Sequence, residues 1–407
     1  MPQHSPTFRR VTSMEPLLPT SGGAALADLS AEIFRKSGEL SAALPSKAVR
    51  SGVAALVREM NSYYSNLIEG HKTLPRDIAR ALRDDFSDLA EDRRNQLLSV
   101  AHIRTETAMR QRLAAEPDLG VFQPEFIQWL HHEFYTALPV DEWFTTSISG
   151  QRHSLVPGEL RDHPVSVGRH SPPDHEVLGD FMRRFADFYS DPSIPATGRI
   201  VAAAAAHHRL AWIHPFGDGN GRVARLQSQA AMIRAGLDAE GLWTLSRGIA
   251  RARTAYYQHL QAADQQRAND FDGRGNLSDA ALSRFCRFFL THCLDQIRFM
   301  ADLIAPFNLL DRIESYLRFT RIDLEPKTRE HLQRLLKALC HEGELARGAV
   351  PAILGLKGTA ARAIIRRALE EELVCSSTEK GPLRLAFPHK VLDAWFPQLF
   401  TDLPVQE

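Results

Sequence analysis

His214-Pro215-Phe216-Gly217-Asp218-Gly219-Asn220-Gly221-Arg222-Val223-Ala224-Arg225 is the stretch from which the rest of the chain is read. Proline pushes the residue before it out of the α region, so His214 is predicted to end a helix in an extended conformation and project into a loop. Gly217, Gly219 and Gly221 let that loop turn tightly and approach a ligand with its backbone. A helix is predicted to begin at once, at Arg222. A glycine-rich turn running into a helix N-terminus offers free N–H groups and the positive dipole end, the pattern that cradles phosphate. Arg222 and Arg225 fall on one helical face and call for an anion between them. Asp218 supplies a hard oxygen suited to Mg²⁺ bridging phosphates. His214 can take a proton from a hydroxyl near neutral pH. A base, a carboxylate, three glycines and two arginines within twelve residues point to chemistry at a phosphate, not to an ordinary capped helix.

The composition agrees with a soluble globular protein. Lys plus Arg (49) equals Asp plus Glu (49) over 407 residues, which leaves no global field for nucleic acid or membrane. Hydrophobic residues make up 44% and charged ones 24%, and no apolar run nears the roughly 20 residues of a membrane span. The N-terminal residues lack a signal-peptide core. Four scattered cysteines do not form a disulfide framework, and the predicted compartment is cytoplasmic.

Apolar residues recur at three- and four-residue spacing over most of the chain, so the fold is predicted to be mostly α. Residues 1–24, with Pro, Ser and Gly22-Gly23, read as a flexible tail. Residues 25–119 read as an N-terminal helical region, including a helix that closes at Gly70 and others over 78–89 and 97–113. Residues 120–304 form the unit around the loop. Within it, the helical period disappears between Trp143 and Pro173, and Pro157-Gly158 with the alternation over 163–168 suggests a short β-hairpin or extended flap over 157–173. Helices are expected over 177–189, 198–213, 222–235, 249–268 and 279–300. Residues 305–407 form a last unit: helices over 328–341, 350–354 and 359–373, then strands over 374–377 and 383–387. That order is the order of a winged helix-turn-helix.

The run from His214 to Arg225 resembles the signature of the Fic/Doc family, H-x-F-x-[D/E]-G-N-G-R-x-x-R, at every specified position. The resemblance extends over about residues 120–300 and implies a Fic-type helical bundle with a β-hairpin flap. It further implies a protein adenylyltransferase that moves AMP from ATP, with Mg²⁺, onto Ser, Thr or Tyr hydroxyls. His214 would be the general base, Phe216 would anchor the loop, and Asp218 would hold the metal. Asn220, the amides of Gly217, Gly219 and Gly221, and Arg222 would bind the α- and β-phosphates, and Arg225 the γ-phosphate.

Ser65-Asn66-Leu67-Ile68-Glu69-Gly70 resembles a second motif of the family, [S/T]-x-x-x-E-[G/N], carried on an inhibitory helix. The resemblance implies that Glu69 pairs with Arg225 where the γ-phosphate should dock, and that Ser65 and Gly70 belong to the same device. In some relatives the same glutamate supports removal of AMP. By the same analogy residues 157–173 would be the flap that pairs with the target's backbone. Val167, Gly168, Arg169 and His170 would line the nucleotide site, with Tyr256, Tyr257 and Asp264 toward the adenine and ribose. His131-His132 and His207-His208 lack a metal-binding spacing and read as packing or surface residues, so no zinc is expected.

Arg362, Arg366 and Arg367, with Lys357 ahead of them, lie on the predicted recognition helix before Glu370-Glu371-Glu372. They leave DNA binding through 305–407 open beside a protein-interaction or dimerisation role, including a homodimer. The rival to the enzyme is therefore a DNA-binding winged-helix regulator whose Fic core is sensory or inactive. An intact His214 speaks against an inactive core.

Overall fold

The computed structural model describes residues 8–44, 46–146, 150 and 152–401. Its helices are amphipathic where they lie on the surface and apolar all round where they are enclosed. Helix α1 (Gly23–Ala43) buries Leu26, Ser30, Ile33, Ser37 and Leu40, one stripe at three- and four-residue spacing. Helix α2 (Lys47–Ile68) begins the same way, but every residue from Met60 to Ile68 is buried, so its C-terminal end runs into the interior. Helices α3 (Pro75–Ala81), α4 (Ala90–Ala115) and α5 (Pro124–Thr136) follow, the first and last started by a proline that has no N–H to waste. Strands β1 (Phe144–Thr146) and β2 (Arg152–Ser154) pair antiparallel. Helices α6 (Leu178–Tyr189), α7 (Ala196–Ile213), α8 (Asn220–Arg234), α9 (Ser246–Arg251), α10 (Arg253–Ala263) and α11 (Asp279–Ile304) complete the bundle.

Helix α7 is its axis. Residues 200–210 are all buried, and the helix packs on α1, α6, α8 and α11. The Ala202–Ala206 run has small side chains, which lets four neighbours close around one rod. His214 follows as the C-cap of this enclosed element. Among the described residues no helix is long and apolar enough to cross a membrane.

The C-terminal part comprises α12 (Pro306–Ser315), a π-turn (Tyr316–Thr320), α13 (Pro326–Glu342), β3 (Glu344–Leu345), α14 (Val350–Leu354), α15 (Gly358–Glu370), β4 (Val374–Cys375), β5 (Leu383–Leu385) and α16 (His389–Trp395). Its strands form one antiparallel sheet in the order β3-β5-β4. The two expected strands are present, and the two-residue β3 is too short to leave a sequence pattern. The chain then returns to α2, where Tyr64 Oη donates to Leu399 O (3.2 Å) and accepts from Thr401 N–H (2.8 Å).

Three expectations are corrected. The flexible tail is not one over its described part. Phe8 packs on Trp212, Met14 and Leu17 are buried, and Arg209 donates to Pro16 O at 3.0 and 2.8 Å. Proline and glycine there mark a strap and its turns, while residues 1–7 lie outside the described residues. Met14→Ala should therefore lower unfolding stability by about 2–4 kcal/mol in a denaturant titration; an unchanged midpoint would mean that the strap adds nothing. The β-ladder is not over 157–173 but just before it, in β1 and β2. Between 157 and 173 the described chain is a loop with one bridge, Val167–His170, across Gly168. Pro157, Pro164, Pro172 and Pro173 lack ladder donors, which explains the displacement. Finally, the helix expected over 78–89 stops at Ala81, with Asp84 left-handed (φ 61°), and that over 249–268 is divided at Ala252.

Candidate active site

The loop between α7 and α8 is held from several sides. His214 ends α7, but in the left-handed region (φ 50°, ψ 61°) and not extended. Both conformations avoid the clash with Pro215; this one persists because Arg161 Nε donates to His214 O (2.9 Å) and Arg161 N–H to Pro215 O (2.9 Å). Phe216 is fully buried and stacks on His131, ring centres 4.0 Å apart. Asn220 clasps the loop from within: its Oδ1 accepts from Phe216 N–H (3.0 Å) and its Nδ2 donates to Phe216 O (2.8 Å). Gly219 takes φ 78° as the N-cap of α8, a conformation that costs glycine little.

The end of α2 meets this loop. Gly70 (φ 89°) and His71 close the helix, donating to Leu67 O (3.1 Å) and Asn66 O (2.9 Å) respectively, the Schellman pattern that leaves Glu69 as the C-cap. Glu69 Oε1 then accepts from Arg225 Nη2 at 2.7 Å. Arg225 also donates through Nε to Ser65 Oγ (2.9 Å) and through Nη2 to Ser65 O (2.9 Å). Arg222 Nε donates to Asn66 Oδ1 (3.1 Å). A Cβ added to Gly221 would lie 2.2 Å from Glu69 Oε1. The carboxylate therefore rests on the first turn of α8, where backbone N–H groups and the dipole favour an anion.

The charges are consistent with this placement. Burial raises the Glu69 carboxyl, but Arg225 and then Arg222 outweigh it and hold it below the usual carboxylate range. A depressed carboxyl stays ionised above its unfolded value, so the pair persists at neutral pH and weakens only as pH falls through the folded value. Asp218 is exposed on the loop; desolvation raises its carboxyl, and Arg222 and the Tyr135 hydroxyl bring it below normal. Burial, then Arg161, push His214 down to about 4, so its imidazole is neutral and able to accept a proton. In an NMR titration the His214 ring should show no midpoint between pH 5 and 8; a midpoint near its ordinary value of about 6.5 would contradict this environment.

A cleft of about 440 Å³ opens beside the loop, a volume suited to a small ligand. Glu69, Val167, Gly168, Arg169, His170, His214, Asn220, Gly221, Arg225, Tyr256, Tyr257 and Asp264, all singled out in the sequence, line it. Gly217, Asp218, Gly219 and Arg222 lie beside it on the loop and in α8, and Ser65 and Gly70 behind Glu69. The two tyrosines differ. Tyr256 is buried, its hydroxyl bonded to His207 Nε2 (2.7 Å), whereas Tyr257 is exposed and donates to Ile68 O (3.2 Å) on the last turn of α2. Asp264 faces His208 (3.2 Å). Ala211, Trp212, Leu260 and Gln261 also line the cleft and escaped the sequence reading. Leu260 and Gln261 stand three and four positions after Tyr257 and could have been found by helical spacing.

A glycine-rich loop at the N-terminus of α8, with His214 before it and the Glu69 carboxylate resting on the first turn of the helix, makes up the candidate site. Residues 121–231 match the Fic/DOC family. The protein adenylyltransferase Fic of Nematostella vectensis is 40% identical over 89 residues, 22% of this chain and 21% of that one. The protein adenylyltransferase fic-1 of Caenorhabditis elegans is 32% identical over 117 residues, 29% of this chain and 22% of that one. The matched stretch thus spans about a fifth of the length of these relatives. In fold, a Fic family protein from Desulfovibrio desulfuricans is similar over 95% of this chain and 99% of its own, with a TM-score of 0.53 at 17% identity.

Proposed function

We propose that this protein transfers AMP from ATP to a hydroxyl side chain of a target protein, and that as folded it is held off by Glu69. The observation that carries the reading is the Glu69 carboxylate on the first turn of α8, bonded to Arg225 at 2.7 Å. The adenylyltransferase names of the relatives support the activity over the shared domain.

In the proposed reaction the target hydroxyl, a Ser, Thr or Tyr, gives its proton to His214 as its oxygen attacks the α-phosphorus of ATP. The new O–P bond forms as the bond to the β-phosphate oxygen breaks, and pyrophosphate leaves. The α8 N-terminus, Arg222 and Asn220 orient the α- and β-phosphates, and Arg225 receives the γ-phosphate once Glu69 withdraws. Positioning and charge neutralisation then supply the catalysis. The exposed Asp218 carboxylate, single and beside the phosphate loop, fits Mg²⁺, which binds through one or two carboxylates and substrate phosphates. Bound there, Mg²⁺ would neutralise phosphate charge. The 157–173 loop, tied to His214 O through Arg161 and exposed over 166–169, would meet the target, and Tyr257 would stack on the base. Glu69 can also hold a water for the reverse hydrolysis of an AMP ester.

ATP labelled at the α- or the γ-phosphorus separates this from phosphoryl transfer. Only the α label should stay on protein; retention of the γ label would contradict it.

The C-terminal order of helices and sheet supports a winged helix-turn-helix over 305–407. Arg347, Arg362 and Arg366 line a groove of about 730 Å³ there, yet Arg366 and Arg367 face Glu370 and Glu371. We assign this unit to partner binding ahead of DNA. A salt-dependent shift of duplex DNA by the whole protein, lost in Arg362→Ala, would reverse that order.

A further inference from the structure

Helix α5 forms a floor under the phosphate loop, and two of its side chains touch the loop directly. His131 stacks beneath Phe216, as described. One turn later Tyr135, 2% exposed, reaches the loop's carboxylate: its hydroxyl donates to Asp218 Oδ2 at 2.7 Å. The tyrosine is itself fixed. Its ring lies against His131 (4.6 Å) and its carbonyl accepts from Trp143 Nε1 (2.8 Å). A Cβ at residue 219 would stand 2.8 Å from Tyr135 Cε2 and 3.1 Å from its hydroxyl. Gly219 is therefore required twice, for its positive φ and for the passage of this ring. Asp218, by contrast, sits on a loop, and the Tyr135 hydroxyl is a side-chain partner that fixes its carboxylate.

We propose that Tyr135 is a positioning residue for the proposed AMP transfer: its hydroxyl holds the Asp218 carboxylate in the orientation that presents it to the divalent cation accompanying ATP. Oδ2 is engaged by the hydroxyl, and the Gly219 amide adds to the hold on the same carboxylate. A buried phenol is a better holder than water because it has one place to be, and outer partners of metal-binding carboxylates commonly set affinity in this way. This rests on the AMP-transfer reading, and the experiment separates the two.

Full-length Glu69→Gly protein is compared with the same protein carrying Tyr135→Phe, which keeps the ring and removes the hydroxyl. Calorimetry measures ADP binding in EDTA and across a Mg²⁺ series. The Mg²⁺ concentration that half-restores tight binding should rise roughly tenfold or more with Tyr135→Phe, while affinity in EDTA stays the same. Added to Asp218→Asn, the same change should alter nothing, because the group it positions is gone. An unchanged Mg²⁺ dependence, or an equal loss with and without Mg²⁺ as from a loosened loop, overturns the proposal alone. If the parent binds ADP with no Mg²⁺ dependence at all, the AMP-transfer reading falls and this proposal with it.

Discussion

Glu69→Gly should raise AMP incorporation, into targets and into the protein itself, by roughly ten- to a hundredfold. The size follows from what the γ-phosphate must displace. Glu69 Oε1 is bonded to Arg225 Nη2 at 2.7 Å and lies on the turn of α8 that an anion would occupy. A hydrogen bond between charged groups contributes about 1.5–3 kcal/mol net, which converts to that range. Glycine at position 69 removes the carboxylate and leaves Arg225 still seated by Ser65 at 2.9 Å. The arginine stays in place for the phosphate. The Schellman closure uses only backbone groups of residues 66, 67, 70 and 71, so the helix end should survive. Equal rates of labelled AMP incorporation by wild type and Glu69→Gly would remove the inhibitory role from this glutamate.

The second large effect runs the other way. In the Glu69→Gly background, His214→Ala should reduce transfer by about 10²–10⁴-fold, the usual contribution of a positioned general base. ATP binding should stay within a few-fold, because the phosphates are held by α8, Arg222 and Arg225 and not by the imidazole. A matching collapse of ATP binding would instead make His214 a structural post for the loop. That outcome is worth separating, since the residue sits in left-handed backbone and its carbonyl is a partner of Arg161.

The sequence made the chemistry legible because the loop is local: base, carboxylate, glycines and arginines are neighbours in the chain. Glu69 was reachable only through a motif resemblance, since no local rule joins residues 156 positions apart. The strain at His214 was half legible. The proline forbade the helix, but the choice of left-handed over extended backbone depends on Arg161, far along the chain. Tyr135, Arg161 and Asn66 carried no signal for the same reason; each is a lone residue on an ordinary helix or loop until the bundle closes. Composition misread the N-terminus, where proline and glycine marked turns of a strap whose buried Met14 and Leu17 are too few to give a period. Prolines also explain why the ladder formed between 144–146 and 152–154 and not over 157–173.

Intact-mass spectrometry after incubation with ATP and Mg²⁺ tests the central claim most directly, using wild type, Glu69→Gly, and Glu69→Gly with His214→Ala. A mass gain of one AMP group in Glu69→Gly, absent or much weaker in the other two, is the predicted result. No gain in Glu69→Gly, or the same gain in all three proteins, would contradict a transferase that works through His214 and is locked by Glu69.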